Sequence, residues 1–249
     1  MLASGRGTDF QAISDHIKLD VLQNARIQGL VCNHRGAKVI ERARLNDIEV
    51  FEIEGPSGKK FASREEREHA RAIFDRNCLE VFNSLMIDLV ILAGFDQIVS
   101  KEFVEACRFR ILNIHPAYDL SQFGGKNMVG LKVHEAVIKS GAKFSGCTVH
   151  YVTSDVDLGP PILKKRIDLD DGESAESLEA KVLALEHITY PEAIQLLADE
   201  RAVINKEGTM CFVDRFSGNW DVNWSTRQRK YLVTHPDESQ ILCWKREAN

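Results

Sequence analysis

Short apolar runs alternate along this chain with longer stretches of helical period. The runs Ile27–Asn33, Glu49–Ile53 and Ile87–Leu92 read as buried strands, as does the segment carrying Asn113 and His115. Between them, Asp9–His16, Lys38–Leu45 and Arg64–Leu85 read as amphipathic helices. The last has Glu65, Glu66 and Glu68 in its first turn, where the positive end of a helix favours carboxylates. A short helix is expected after Ser100 and another over Gly130–Ser140. Strands follow at Phe144–Thr153 and Ile162–Ile167, and a long helix lies within Ala175–Asp199. Strands separated by helices imply crossover connections, so the expected fold is α/β, a Rossmann-like doubly wound, mostly parallel sheet. Residues 1–205 form one expected domain, and residues 206–249 a short β-rich C-terminal extension packed on it.

Composition narrows the function classes. The formal net charge of -5 gives no general attraction to phosphate backbones or anionic lipids, so neither nucleic acid nor membrane is an expected partner. No apolar run approaches the about 20 residues of a membrane span, and no charged-then-apolar leader opens the chain. The six cysteines are scattered, without the close pairs of a zinc site or the density of a secreted scaffold, and read as reduced thiols in a cytoplasm. The tail from Asn205 carries Trp220, Trp224, Tyr231 and Trp244 among seven Lys or Arg and six Asp or Glu. It is therefore not a basic patch, and its aromatics bury against the domain or form the interface of a homodimer.

Three motifs carry candidate chemistry. Asn113 and His115 stand two apart at the end of an apolar strand, so both face one side, and Pro116 holds His115 extended. One can polarise a carbonyl while the other supplies or moves a proton; alone, such a histidine is more often structural. Ser4-Gly-Arg-Gly-Thr8 precedes a helix, and its glycines, helix N–H groups and Thr8 hydroxyl can cradle a phosphate. A tight turn capped by Thr8 explains the same residues. Only Met1 and Leu2 precede Ala3, so the strand before this loop is either a stub or begins upstream. His150 runs into an acidic turn with Asp155 and Asp157. There Asp157 could orient His115 and stabilise positive charge on it, or the two aspartates could only close the turn. A divalent metal on Asp155, Asp157 and His150 is the least favoured reading, because calcium-loop spacing is missing.

Taken together, Ser4–Thr8, Leu92-Ala-Gly-Phe95, Asn113-Ile-His-Pro116, His150-Tyr-Val-Thr153, Asp157-Leu-Gly-Pro160 and Glu186-His-Ile-Thr-Tyr-Pro191 closely resemble the phosphoribosylglycinamide formyltransferases, folate-dependent enzymes of purine biosynthesis. The likeness runs from residue 2 to about residue 206. It implies that the amine of 5'-phosphoribosylglycinamide attacks the formyl carbon of 10-formyltetrahydrofolate, with no metal or redox cofactor. Asn113, His115 and Asp157 would be catalytic. Ser4, Gly5, Arg6, Gly7, Thr8 and Glu186 would hold the phosphoribosyl substrate, and Arg64 with Phe95, Asp96, Gln97, Ile98 and Val99 would hold the folate.

The chain departs from the family at several places. Asp9 replaces a usual Asn, setting a carboxylate near the proposed phosphate unless it faces solvent. Asp96-Gln97 replaces a Met-Arg pair, and Leu158 replaces a glycine. Tyr118–Val129 is longer than the Pro-rich loop of better-known bacterial forms and is either a lid near the substrates or an inert surface loop. Competing readings are a methionyl-tRNA formyltransferase, a formyltetrahydrofolate hydrolase that uses the same triad on water, and a phosphoribosyl-binding module without catalysis. The first would bring a larger, basic C-terminal domain, and the second an N-terminal regulatory domain.

Overall fold

A computed structural model describes residues 1–199 throughout and, beyond them, only the backbone of five strands. Seven strands form the main sheet: β1 (Leu2–Ala3), β2 (Leu30–Cys32), β3 (Val50–Glu52), β4 (Val90–Leu92), β5 (Ile111–His115), β6 (Phe144–Tyr151) and β7 (Pro161–Asp168). Their order is β3-β2-β1-β4-β5-β6-β7. The first five are parallel, whereas β6 runs antiparallel to β5 and β7 antiparallel to β6. The doubly wound α/β expectation holds.

The helices are α1 (Thr8–Lys18), α2 (Lys38–Leu45), α3 (Arg64–Ser84), α4 (Lys101–Ala106), α5 (Leu120–Phe123), α6 (Leu131–Lys139) and α7 (Ala175–Ala198). On one face of the sheet, Ile13, Val137, Leu178, Val182 and Tyr190 pack on Leu112, Val149 and Tyr151. On the other, Phe74, Cys78, Phe82 and Phe103 from α3 and α4 pack on Val31, Val90, Leu92 and Ile111. Phe10, Phe74, Phe103 and Tyr190 are fully buried, each contributing roughly 1.5–3 kcal/mol of transfer free energy.

Most strands are shorter than the apolar runs suggest, whereas β7 extends one residue beyond its expected run at each end. β1 has two residues yet sits in the middle of the sheet, with Leu2 opposite both Val31 and Leu92 and Ala3 opposite Cys32. A parallel ladder extends only as far as its neighbours do, so Ile27 and Leu89 pack on the core without joining it. Gly130 and Ser140 are caps of α6 rather than part of it. Helix α5 was not expected; it nucleates on Asp119, whose Oδ1 accepts the Ser121 N–H at 3.0 Å.

The tail is β-rich as expected: β9 (Met210–Phe212), β10 (Asp221–Ser225), β11 (Lys230–Thr234) and β12 (Gln240–Trp244) join β8 (Ala202–Asn205), which lies before the expected boundary, in an antiparallel sheet in the order β10-β11-β12-β8-β9. Its aromatic side chains, and how they pack, lie outside the described residues. Among the described residues no helix is long and apolar enough to cross a membrane.

Candidate active site

The chain reverses its winding between β1 and β4, and open α/β sheets bind ligands beyond the carboxyl ends of strands at such a point. The glycine loop leaves β1 there, Ala93–Val99 leaves β4, and Asn113 and His115 end β5 next door.

The structure brings Asn113, His115 and Asp157 together and adds His150. His115 is 4% exposed; its Nδ1 lies 3.5 Å from Asp157 Oδ2, and Asn113 Nδ2 donates to Asp157 Oδ1 at 3.4 Å. Antiparallel pairing puts His150 directly opposite Asn113. Burial pushes the His150 imidazole below its ordinary value, against the pull of the Tyr151 carbonyl and Asp157. As a neutral ring it donates from Nδ1 to Tyr151 O (2.9 Å), so Nε2 accepts from Asn113 Nδ2 (3.3 Å). Both amide hydrogens of Asn113 are thus aimed, one at a histidine and one at a carboxylate.

Asp157 reaches this position by an uncommon backbone. In the turn closed by the Leu158 N–H to Asp155 O (3.2 Å), Asp157 sits at φ 60°, a left-handed conformation that costs an L-residue about 1–2 kcal/mol and that aspartate tolerates better than most. Asp155 does not join Asp157 and His150 in a metal-holding group, and no such group of three is found among the described residues.

The segment Tyr118–Val129 is not an inert surface loop. Phe123 O accepts from His115 Nε2 at 2.7 Å, and the Gly125 N–H donates to Asp157 Oδ2 at 2.9 Å. Between them Gly124 passes so close that a Cβ there would stand 2.5 Å from Leu120 O and 3.1 Å from Asp157 Cβ. The loop is therefore seated on His115 and Asp157 through its backbone.

Gly7, not Thr8, is the N-cap of α1, and no side chain caps this helix, so its first N–H groups are left for an anion. Gly7 has φ 71°, and a Cβ on it would lie 2.5 Å from Val39 Cγ2. Helix α2 braces the loop from behind, through Val39 N–H to Gly5 O (3.2 Å) and Arg42 Nε to Arg6 O (2.9 Å). Asp9 faces inward, not toward solvent: its Oδ1 lies 3.8 Å from His187 Nε2 of α7. Glu186 is buried beside it, and burial first, then Asp9 and Glu179, raise its carboxyl well above the ordinary range.

A family model described as formyl transferase matches residues 1–194. The phosphoribosylglycinamide formyltransferase of Bacillus subtilis is 34% identical over 197 residues, covering 79% of this chain and 92% of its own. The chain belongs to the formyl transferase family, in its phosphoribosylglycinamide branch. The chloroplastic enzyme of that name from Arabidopsis thaliana is 33% identical over 208 residues, 84% of this chain and 68% of its own. The crystal structure of glycinamide ribonucleotide transformylase 1 from Symbiobacterium toebii superposes with TM-score 0.73 at 34% identity, covering 86% of this chain and 92% of that one.

In this formyl transferase the structure shows what Asp96 and Gln97, in the segment after β4, do. The Asp96 carboxylate accepts from Ser4 Oγ (2.9 Å), Asn33 Nδ2 (2.8 Å), His34 Nε2 (2.7 Å) and Ser57 Oγ (3.0 Å). Burial alone would push this carboxyl up; the donated bonds outweigh it and hold it below its ordinary value. Asp96 thereby ties Ser4 of the glycine loop to the loops after β2 and β3. Sequence reasoning missed this clamp, because its partners lie as many as 92 residues apart. Gln97 is buried with its amide oxygen and nitrogen both unpartnered, Phe95 stacks on Phe74 at 6.0 Å, and Val99 is buried while Ile98 is partly exposed. Arg64 opens α3 on the surface, where its Nε pairs with Glu68 at 2.7 Å.

Proposed function

We propose that this protein transfers the formyl group of 10-formyltetrahydrofolate to the amine of 5'-phosphoribosylglycinamide. The observation that carries the reading is the Asn113, His115 and Asp157 constellation at the end of β5, beside an uncapped helix start that suits a phosphate. The glycine loop, from Ser4 through Gly5, Arg6, Gly7 and Thr8, holds the phosphate, with Glu186 on the ribose or glycinamide side. Arg64 meets the folate's carboxylate tail, and the backbone of Phe95–Val99 lines the pterin.

The amine lone pair attacks the formyl carbon, the new C–N bond forms and the carbonyl oxygen becomes an oxyanion. Asn113 Nδ2–H, turned from His150 to the substrate, and positive charge on the His115 imidazole stabilise that oxyanion. Asp157 holds His115 and passes the proton lost by the amine toward N10 of the folate; the C–N10 bond then breaks, releasing tetrahydrofolate and the formamide product. Each step is a proton transfer or an acyl transfer, so the reaction calls for neither a metal nor a redox cofactor. Residues 1–205 form the catalytic domain, residues 206–249 an appended β extension that serves a homodimer, and the protein works in the cytoplasm.

The test is tetrahydrofolate release from 10-formyltetrahydrofolate by the purified chain, with and without phosphoribosylglycinamide. Amine-dependent turnover supports the transferase. Formate release without the amine assigns a hydrolase instead, and ligand binding without turnover leaves a non-catalytic binder.

A further inference from the structure

The glycine loop accounts for a phosphate, but not for the carboxylate behind it. Asp9 is the second residue of α1, its side chain is 10% exposed, and its Oδ1 is buried without a hydrogen-bond partner. The atom it faces, His187 Nε2, is likewise buried and unpartnered, 3.8 Å away. Two orphaned atoms, one an oxygen and one a ring nitrogen, meet across a gap that a single proton can join, since buried polar groups are seldom left unpaired.

The groups around this gap do not supply that proton's charge by other means. Arg6, from the loop, is the cation acting on Asp9. Helix α7 presents Glu186, His187 and Tyr190, and β6 presents Cys147. Arg42 of α2 and His16 of α1 act on His187, and Glu179 acts on Glu186. Burial first, then Arg42 and His16, push the His187 imidazole below its ordinary value, while burial raises the Asp9 carboxyl to about 6 against the pull of Arg6. Ionised Asp9 also leans on the first N–H groups of α1. A phosphate monoester seated on Gly5–Thr8 takes over those N–H groups and the Arg6 guanidinium, and adds its own negative charge nearby.

We infer that Asp9 makes phosphate-monoester binding at this loop proton-linked: the ligand enters with one proton from solvent, which settles between Asp9 Oδ1 and His187 Nε2. The repelling carboxylate becomes part of a neutral hydrogen-bonded pair, and Asp9 sets which protonation state of the site accepts the ligand. The inference rests on the reading above that this loop holds the phosphate.

Ribose 5-phosphate is the probe, because it lacks the amine of the full substrate and is a dianion above about pH 7. Calorimetric titration of the full chain between pH 7 and 8.5, in two buffers of different ionisation heat, measures the protons taken up. The expected result is uptake approaching one proton and affinity that weakens by up to roughly tenfold per pH unit. Asp9→Asn and His187→Gln should each flatten that slope, with Asp9→Asn binding more tightly than wild type at pH 8.5. Binding of ribose 5-phosphate by the wild type without proton uptake overturns the inference, and does so even if neither variant folds. A slope that survives in both variants also overturns it, since the proton then goes elsewhere. No binding by any of the three at any pH removes the phosphate-loop reading itself, a separate outcome.

Discussion

Two polar clusters flank the ligand crevice, and they treat charge in opposite ways. Around β5, each polar side-chain group has found a partner inside the protein: Asp157 is held by Asn113, His115 and Gly125, and His150 by Asn113 and Tyr151. Between α1 and α7, Asp9 and His187 face each other with atoms unpaired, and Glu186 is buried alongside. A satisfied network fixes geometry before substrate arrives, which is what chemistry needs. An unsatisfied one holds free energy that a ligand, or a proton brought with it, can release. Tyr190 joins the two. From α7 its hydroxyl reaches the Leu92 carbonyl of β4 and the Leu112 carbonyl of β5, at 2.9 and 3.0 Å, and β5 carries the other cluster.

The comparison can be broken from the catalytic side first. Asp157→Asn keeps an acceptor for the Gly125 N–H but removes the carboxylate, and should lower kcat by roughly 1000-fold while the fold stays intact by circular dichroism. Loss of only a few-fold would mean that the proton travels by another route. Asn113→Ala removes the proposed oxyanion donor and should lower kcat by roughly 100-fold in steady-state assays.

Tyr190→Phe tests the link between the clusters. It strips a side-chain donor from two buried strand carbonyls and should cost about 1–3 kcal/mol in urea unfolding. An unchanged midpoint would show that α7 is held by packing alone. Gly124→Ala should reduce kcat about tenfold by pushing the loop off Asp157, with the KM for phosphoribosylglycinamide little changed.

The smallest effect belongs to the second cluster. The Asp9 carboxyl is raised from 3.8 to about 6, chiefly by burial, so the folded state prefers it protonated. Stability from this group is fully present below about pH 4, is lost as pH rises through about 6, and stays lost above. Asp9→Asn should therefore melt higher than wild type at pH 8 and with it at pH 4. Parallel melting curves at both pH values would place the carboxylate in solvent.

The order of strands and helices was legible because each element carries its own period, and the end of β5 stood out because Asn113 and His115 are polar residues closing an apolar run. Strand lengths were not legible, since they depend on how far the neighbour's ladder extends: β2 and β4 each run three residues, as far as β3 and β5 pair with them. The inward turn of Asp9 was hidden too, because α7, far along the chain, decides which side of α1 is covered. His150 was visible as a polar residue in the strand before the acidic turn; only the antiparallel register made it a neighbour of Asn113. The role of Tyr118–Val129 depended on two backbone hydrogen bonds, which leave no side-chain signature in the sequence.

That register has a consequence for how such a protein can change over evolutionary time. His150 meets Asn113 because six residues of β6, counted from Phe144, precede it and set its register against β5. One residue inserted or lost within that strand would turn every following side chain to the opposite face and set Val149 or Tyr151 against the Asn113 amide. The strand is therefore closed to length variation, while the neighbouring loop, which reaches the site through peptide groups, can change most of its side chains and still keep its hold. In a lineage of such proteins, novelty should accumulate in Tyr118–Val129, and β6 should keep its count.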